Sequence, residues 1–196
     1  MTSLIRISFC LLWALACPLE AQSLERISQS ESGLEANGPS LRPSISSNAR
    51  YVAFESIASN LVAGDTNDFS GIFVHDRLTG AIVCASMNSF GEMGSDHSHS
   101  PVLSADGNYV SFMSYASNLV PGDQNGVSDV FVYDLIAHQI VCVSKNSSGV
   151  FGNGSSRYPS ISADGRYVAF DSIANNLVSR DRGYDFDVFV HDILLR

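Results

Sequence analysis

The chain repeats itself at a fixed interval. Pro43, Pro101 and Pro159 are 58 residues apart, and so are Phe54, Phe112 and Phe170. Asn60, Asn118 and Asn176 keep the same interval, as do Asp65, Asp123 and Asp181 and then Asp76, Asp134 and Asp192. No insertion or deletion is needed. A repeat in strict register is one supersecondary unit copied along the chain, and each copy buries its apolar face against the next. That excludes any fold with a single unrepeated core.

One unit reads as four short strands. Tyr167-Val168-Ala169-Phe170 follows Ala163-Asp164-Gly165, and the second unit has Ala105-Asp106-Gly107 in the same place. Asp-Gly between two extended runs is a strong hairpin signal. The first unit has the weaker turn Ser47-Asn48-Ala49. Each unit therefore opens with a strand, Pro43 to Ser46 in the first, and turns into a second, Arg50 to Ser56. A long polar loop runs from Ala58 to Ser70. A third strand, Gly71 to Asp76, leads through Leu78-Thr79-Gly80 to a fourth, Ala81 to Met87. No helical period appears beyond the first residues. The second and third strands are apolar on both faces, as in a blade sandwiched between neighbours. The expectation is an all-β β-propeller of four-stranded antiparallel blades.

The run Ser162 to Phe170, Ser-Ala-Asp-Gly-Arg-Tyr-Val-Ala-Phe, resembles the hairpin signature of the TolB-type, WD-like propeller repeats of bacterial exported proteins. Asn118-Leu119-Val120-Pro121-Gly122-Asp123, leading to Asp129-Val130-Phe131-Val132-Tyr133-Asp134, resembles a long-loop subgroup of them. The resemblance covers residues 24 to 196. It implies a fold and leaves the role open, because such propellers serve many. It also implies rings that commonly have six blades.

The units start and stop out of phase. Ile27-Ser28 lies 116 residues, two repeats, before Val143-Ser144, and Gly33 matches Gly149 in the same way. Residues 24–39 thus read as a lone fourth strand and its loop, 40–97 as blade 1, 98–155 as blade 2, and 156–196 as blade 3 without its fourth strand. This phase fits either a partial propeller cut from a longer one or half of a six-bladed ring, a homodimer in which each first strand completes the partner's last blade.

The first 21 residues stand apart. Arg6 precedes an apolar run from Ile7 to Ala16, and Leu19-Glu20-Ala21 offers a small residue for cleavage. This is a secretory signal peptide, and the run is shorter than the roughly 20 residues that span a bilayer. A lipid-anchored start at Cys17 is the variant reading. The expected location is periplasmic or secreted, with residues 22–196 as the propeller. The leader carries one Arg and one Glu, so the formal net charge stays at −9 without it. An acidic surface disfavours nucleic acid and anionic lipid as partners. Cys84 and Cys142 occupy equivalent fourth strands of adjacent blades, too far apart for a disulfide, and read as small buried hydrophobes.

Function is expected on the face that carries the long loops, since the opposite face has only tight turns. In the second unit Asp123, Asn125 and Asp129 alternate around Gly126, a pattern that suits calcium. Asp65 and Asn67 in the first unit and Asp181 and Asp187 in the third keep part of it. The bland alternative is that these side chains shape turns. Asp76, Asp134 and Asp192 read as turn carboxylates. Asp96, His97 and His99 occur once and could hold zinc, though an exposed polar loop is the favoured reading. No nucleophile elbow, phosphate loop or paired catalytic Glu is visible. Glu55 is replaced by Met113 and Asp171 in the other units.

The sequence therefore points to a non-enzymatic module for a protein, peptide or glycan partner. A hydrolase or lyase working in the central channel, an accessory propeller of a peptidase, and a truncated remnant are the competing readings.

Overall fold

The computed structural model describes residues 23–181, 183 and 185–194. The expected leader peptide and Cys17 lie outside the described residues. The described chain holds three antiparallel sheets and no helix. The first is β1 (Ser40–Ile45), β2 (Tyr51–Ser56), β3 (Gly71–Asp76) and β4 (Ile82–Cys84), hydrogen-bonded in that order. The second is β5 (Ser98–Leu103), β6 (Tyr109–Ser114), β7 (Asp129–Asp134) and β8 (Gln139–Cys142). The third has β9 (Ser156–Ile161), β10 (Tyr167–Ser172) and β11 (Asp187–Asp192), with no fourth strand among the described residues. Among the described residues these are propeller blades in an open row, without a closed ring.

Two strand ends differ from the sequence expectation. The first strand of each blade begins before its proline. Its ladder slips between Leu41 and Ser44 and again between His99 and Val102. There Arg42, Ser100 and Tyr158 take φ of 49°, 57° and 50°. Such a bulge tolerates a residue with no N–H, so Pro43 sits inside the strand rather than at its start. The fourth strand is shorter than expected. Ser86 Oγ accepts the Ile72 N–H at 2.9 Å, and Ser144 Oγ accepts the Val130 N–H at 3.0 Å. A side chain has replaced the next ladder carbonyl, so regular pairing ends there.

Residues 24–30, expected as a lone fourth strand, belong to no sheet. Gln29 and Glu35 form an isolated bridge, and Ile27 packs beside the first blade. The third strand that this segment would pair with is absent from the described residues.

Phenylalanines pair across each blade. Phe54 faces Phe73, Phe112 faces Phe131 and Phe170 faces Phe189, with ring centroids 6.0, 5.8 and 5.9 Å apart. The middle blade is covered on both sides. Its core joins Val110, Phe112 and Phe131 to Ala53, Ile72 and Val74 of the first blade. The last blade is covered on one side only. Val130 and Val132 are 0% and 2% exposed, but Val188 and Val190 at the same positions are 77% and 68% exposed.

Blades lock at their hairpins. Gly107 has φ +78°, and a Cβ there would lie 2.4 Å from the Tyr51 ring. At Gly165 the same atom would lie 2.1 Å from the Tyr109 ring. The Asp-Gly signal thus has two causes, the turn itself and an aromatic of the preceding blade pressed on it. The first strands touch in sequence, β1 with β5 and β5 with β9, so they line the axis from which the blades radiate.

Candidate functional site

The long loops emerge on one face, and each is tied to its neighbour by the repeated asparagine. Asn118 Oδ1 accepts the Ser95 N–H at 2.8 Å while its Nδ2 donates to the Met93 carbonyl. Asn176 does the same to Asn153 and Phe151, and Asn60 to Asn37 and Glu35. The repeat exposed these asparagines without their role. The signal available was a polar residue held at one position across three units, next to buried Ala58 and Leu61.

On this face one loop breaks the repeat. Asn88 Oδ1 accepts the N–H groups of Phe90 and Glu92, and its Nδ2 donates to Glu92 Oε2 and the Asn118 carbonyl. The backbone at the tip is therefore fixed, and Phe90 stands 84% exposed on it. Ser148 occupies the same place one repeat later, on a loop where Asn146 Oδ1 accepts the N–H groups of Ser148 and Val150. Ile57, Tyr115 and Val150 add exposed apolar surface on the same face.

The acidic loops are folded into this face. In blade 2, Asp129 is fully buried and Asp123 nearly so. Ser144 Oγ donates to Asp129 Oδ1 at 2.5 Å, and Asn125 Nδ2 donates to its Oδ2 at 2.7 Å and to the Gly152 carbonyl. Asn125 Oδ1 accepts the Val127 N–H. Burial pushes Asp129 up to about 6, against those two hydrogen bonds and with Asp123 adding to the rise. Asp123 and Asp65 are also raised, chiefly by burial.

In blade 1 Gly71 replaces the second carboxylate. Asn67 donates to the Gly94 carbonyl, and Asp65 Oδ1 is buried without a partner among the described residues. In blade 3 Asp181 accepts the Gly183 N–H, while Asp187 is exposed at the start of β11. So Asp123, Asn125 and Asp129 come together. No three His, Cys, Asp or Glu side chains gather into a metal-ligand set among the described residues.

A second cluster lies at the axis. Glu55 is 4% exposed on β2. Its Oε1 accepts from Arg42 at 2.6 Å, and its Oε2 accepts the Ser100 N–H at 3.2 Å and sits 3.3 Å from His99 Nδ1. His97 stacks on His99 with centroids 5.8 Å apart, and its Nδ1 accepts the Ser70 N–H. Sequence spacing singled out His97 and His99, but not the Arg42–Glu55 pair. The bulge that turns Arg42 toward Glu55 is invisible in composition. Next along the axis Arg157 meets Asp171 and lies 3.5 Å over the Phe186 ring.

Asp76 and Asp192 close the turns on the opposite face. Arg50 grips both oxygens of Asp76, and Arg166 those of Asp192. The Arg50 guanidinium holds Asp76 down at about 2. Cys84 and Cys142 are free and buried, which raises their thiols to about 11 and about 12.

No protein-family profile matches the chain, and no curated protein sequence matches it. Solved structures do. A TolB from Agrobacterium tumefaciens aligns with a TM-score of 0.50 at 16% identity, covering 79% of this chain and 46% of that one. TolB from Acinetobacter baumannii gives 0.37 at 19% identity over 82% and 42%. The propeller domain of the Trilobed protease from Pyrococcus furiosus gives 0.44 at 13% over 78% and 43%. The chain spans less than half the length of each of these. Among the described residues no helix is long and apolar enough to cross a membrane. The likeness is one of fold: the chain is built of TolB-like β-propeller blades.

Proposed function

We propose that the protein is an exported, non-catalytic binding module, periplasmic or secreted, that takes a protein partner through its long-loop face. One observation carries this reading: Phe90, an aromatic side chain held out to solvent by a loop whose backbone is already fixed by Asn88. Aromatic anchors on pre-ordered backbone bind without a large ordering cost. A peptide or a glycan could meet the same anchor, because an aromatic ring also stacks on sugar faces. Panning the protein against peptide and glycan libraries separates these partners. Phe90→Ala should weaken the selected ligand about 30-fold, the effect of a hot-spot residue. Leu78→Ala, at an exposed turn on the opposite face, should leave affinity unchanged. The reverse pattern contradicts the proposal.

A calcium ion bracing the blade 2 loop is a second reading, supported by two buried carboxylates, Asp123 and Asp129, of which Asp123 raises the proton affinity of Asp129. Asn125 would complete that site, with Asp65, Asn67, Asp181 and Asp187 as weaker counterparts in the sister loops. Calcium should then raise the melting temperature of the wild type and not that of Asp129→Asn. Equal shifts, or none, remove the reading.

Catalysis at the axis, as in a hydrolase or lyase, is the competing class and rests on Glu55 beside His99. Both Glu55 oxygens already serve Arg42 and Ser100, which supports a clamp between blades over an acid–base pair. The accessory propeller of a peptidase would show the same clamp and the same binding face.

A further inference from the structure

The two ends of the blade row are complementary. Residues 27–37 sit against blade 1 as residues 85–95 sit against blade 2. The bridge Gln29–Glu35 repeats Met87–Met93 and Lys145–Phe151. The Asn37 N–H meets Asn60 Oδ1 at 2.9 Å, as Ser95 meets Asn118 at 2.8 Å and Asn153 meets Asn176 at 2.9 Å. Ala36 and Ile27 pack on the first core. The chain before Asn37 therefore already occupies the place of a preceding blade's fourth strand. At the other end, β11 pairs only with β10 among the described residues, and its outer edge is open.

We propose that residues 24–28 of a second copy of this chain pair with β11, and that two copies so joined close into one ring. The chemistry of the missing junction can be read from the two complete ones. In blades 1 and 2 the fourth strand donates the Ala85 N–H to the Ile72 carbonyl at 2.7 Å and the Val143 N–H to the Val130 carbonyl at 2.8 Å. The serine that follows, Ser86 or Ser144, accepts the N–H of the same β3 or β7 residue. Two repeats earlier those positions are Ile27 and Ser28.

The partner's Ile27 N–H thus reaches the Val188 carbonyl, and its Ser28 Oγ takes the Val188 N–H. Ser28 also matches Ser144, which donates to Asp129, so it faces Asp187. Arg26 stands where Cys142 stands, within the field of that carboxylate, and exchanges its exposed pairing with Glu35 for Asp187. Val188 and Val190, now bare, become covered by the first blade of the second copy, as Val130 and Val132 are covered by blade 3.

The blade count suits two copies. Each copy brings three blades. Two copies joined in this way bring six described blades into one ring, within the range of about 4 to 8 that rings hold. A head-to-tail contact that closes after two copies is self-limiting and leaves no strand edge exposed. One position differs at the new junction. Ala49 stands where Gly107 and Gly165 accept a tyrosine ring, so Tyr167 must turn aside there. Ala49→Gly should strengthen the association.

The test is the mass of the protein in solution by light scattering, together with a cross-link placed by register. Val74 faces Val83 and Val132 faces Val141, which sets Val190 opposite the partner's Glu25. The double variant Glu25→Cys, Val190→Cys should form a covalent dimer on oxidation, because directly opposed strand residues lie within disulfide reach. Ser23→Cys with Val190→Cys, two residues out of register, should not. Val188→Pro removes the outward N–H from an edge strand and should raise the dimer dissociation constant at least tenfold. A monomer at every concentration, a filament series, or a dimer untouched by Val188→Pro with no Glu25–Val190 cross-link would overturn the proposal.

Discussion

Asp129 shows how one buried side chain sets a pH response. Its carboxyl is raised from the ordinary 3.8 to about 6, chiefly by burial. The folded state therefore holds a proton that the unfolded state has released between those values. Stability falls as pH rises through that window, and the full penalty of about 3 kcal/mol stands above pH 6. Asp129→Asn should flatten the pH dependence between about 4 and 6. At pH 7 without calcium it should raise stability by about 1–3 kcal/mol in urea titrations. An unchanged pH profile would show that Asp129 ionises freely.

The Asp123, Asn125 and Asp129 pattern was legible as a loop motif. What the sequence could not convey was that Ser144, fifteen residues on, returns to bond the same carboxylate. Arg42, Glu55 and His99 were likewise separate letters until the bulge at Arg42 brought three strands together.

Among the elements, the strands at the centre of each blade were the most readable. β3 runs from Gly71 to Asp76 as expected, because Ile72-Phe73-Val74 is a continuous apolar run between turns. Edge strands were the least readable, since their limits depend on a bulge or on a serine that ends the ladder. Residues 24–30 could be aligned to a fourth strand by phase, yet no sheet in the described chain receives them.

Position in the row also decides energetics, which pattern alone does not reveal. Phe131 and Phe189 are equivalent letters, but Phe131 is fully buried while Phe189 is only partly so. Phe131→Ala should cost about 3–5 kcal/mol, the range for emptying a packed core position. In dilute protein Phe189→Ala should cost about half as much or less. Equal costs at every concentration would mean that the last blade is covered by something within its own chain.

For the molecule as a whole, the repeat dictates what the chain builds and leaves open how a ring is closed. An open row exposes β1 at one end and β11 at the other, with Leu41 and Ile45 bare on β1 and Val188 and Val190 bare on β11. Long edge strands and apolar faces of this kind invite pairing. The long-loop face and the axis cluster lie on this same scaffold, so joining two rows would bring two copies of Phe90 and of the Glu55 clamp into one ring. The loops carry the unrepeated letters, and they are where sequence periodicity has least to say.

Amide hydrogen exchange at three equivalent positions, Ile72, Val130 and Val188, followed across a dilution series, tests this account most directly. The first two amides bond Ser86 and Ser144 inside complete blades and should be protected at every concentration. Val188 should be protected in concentrated protein and exchange freely on dilution, as the partner's Ser28 leaves. Free exchange at Ile72 and Val130 would contradict the blades themselves. Protection of Val188 that ignores concentration, or its absence throughout, would contradict closure by a second copy.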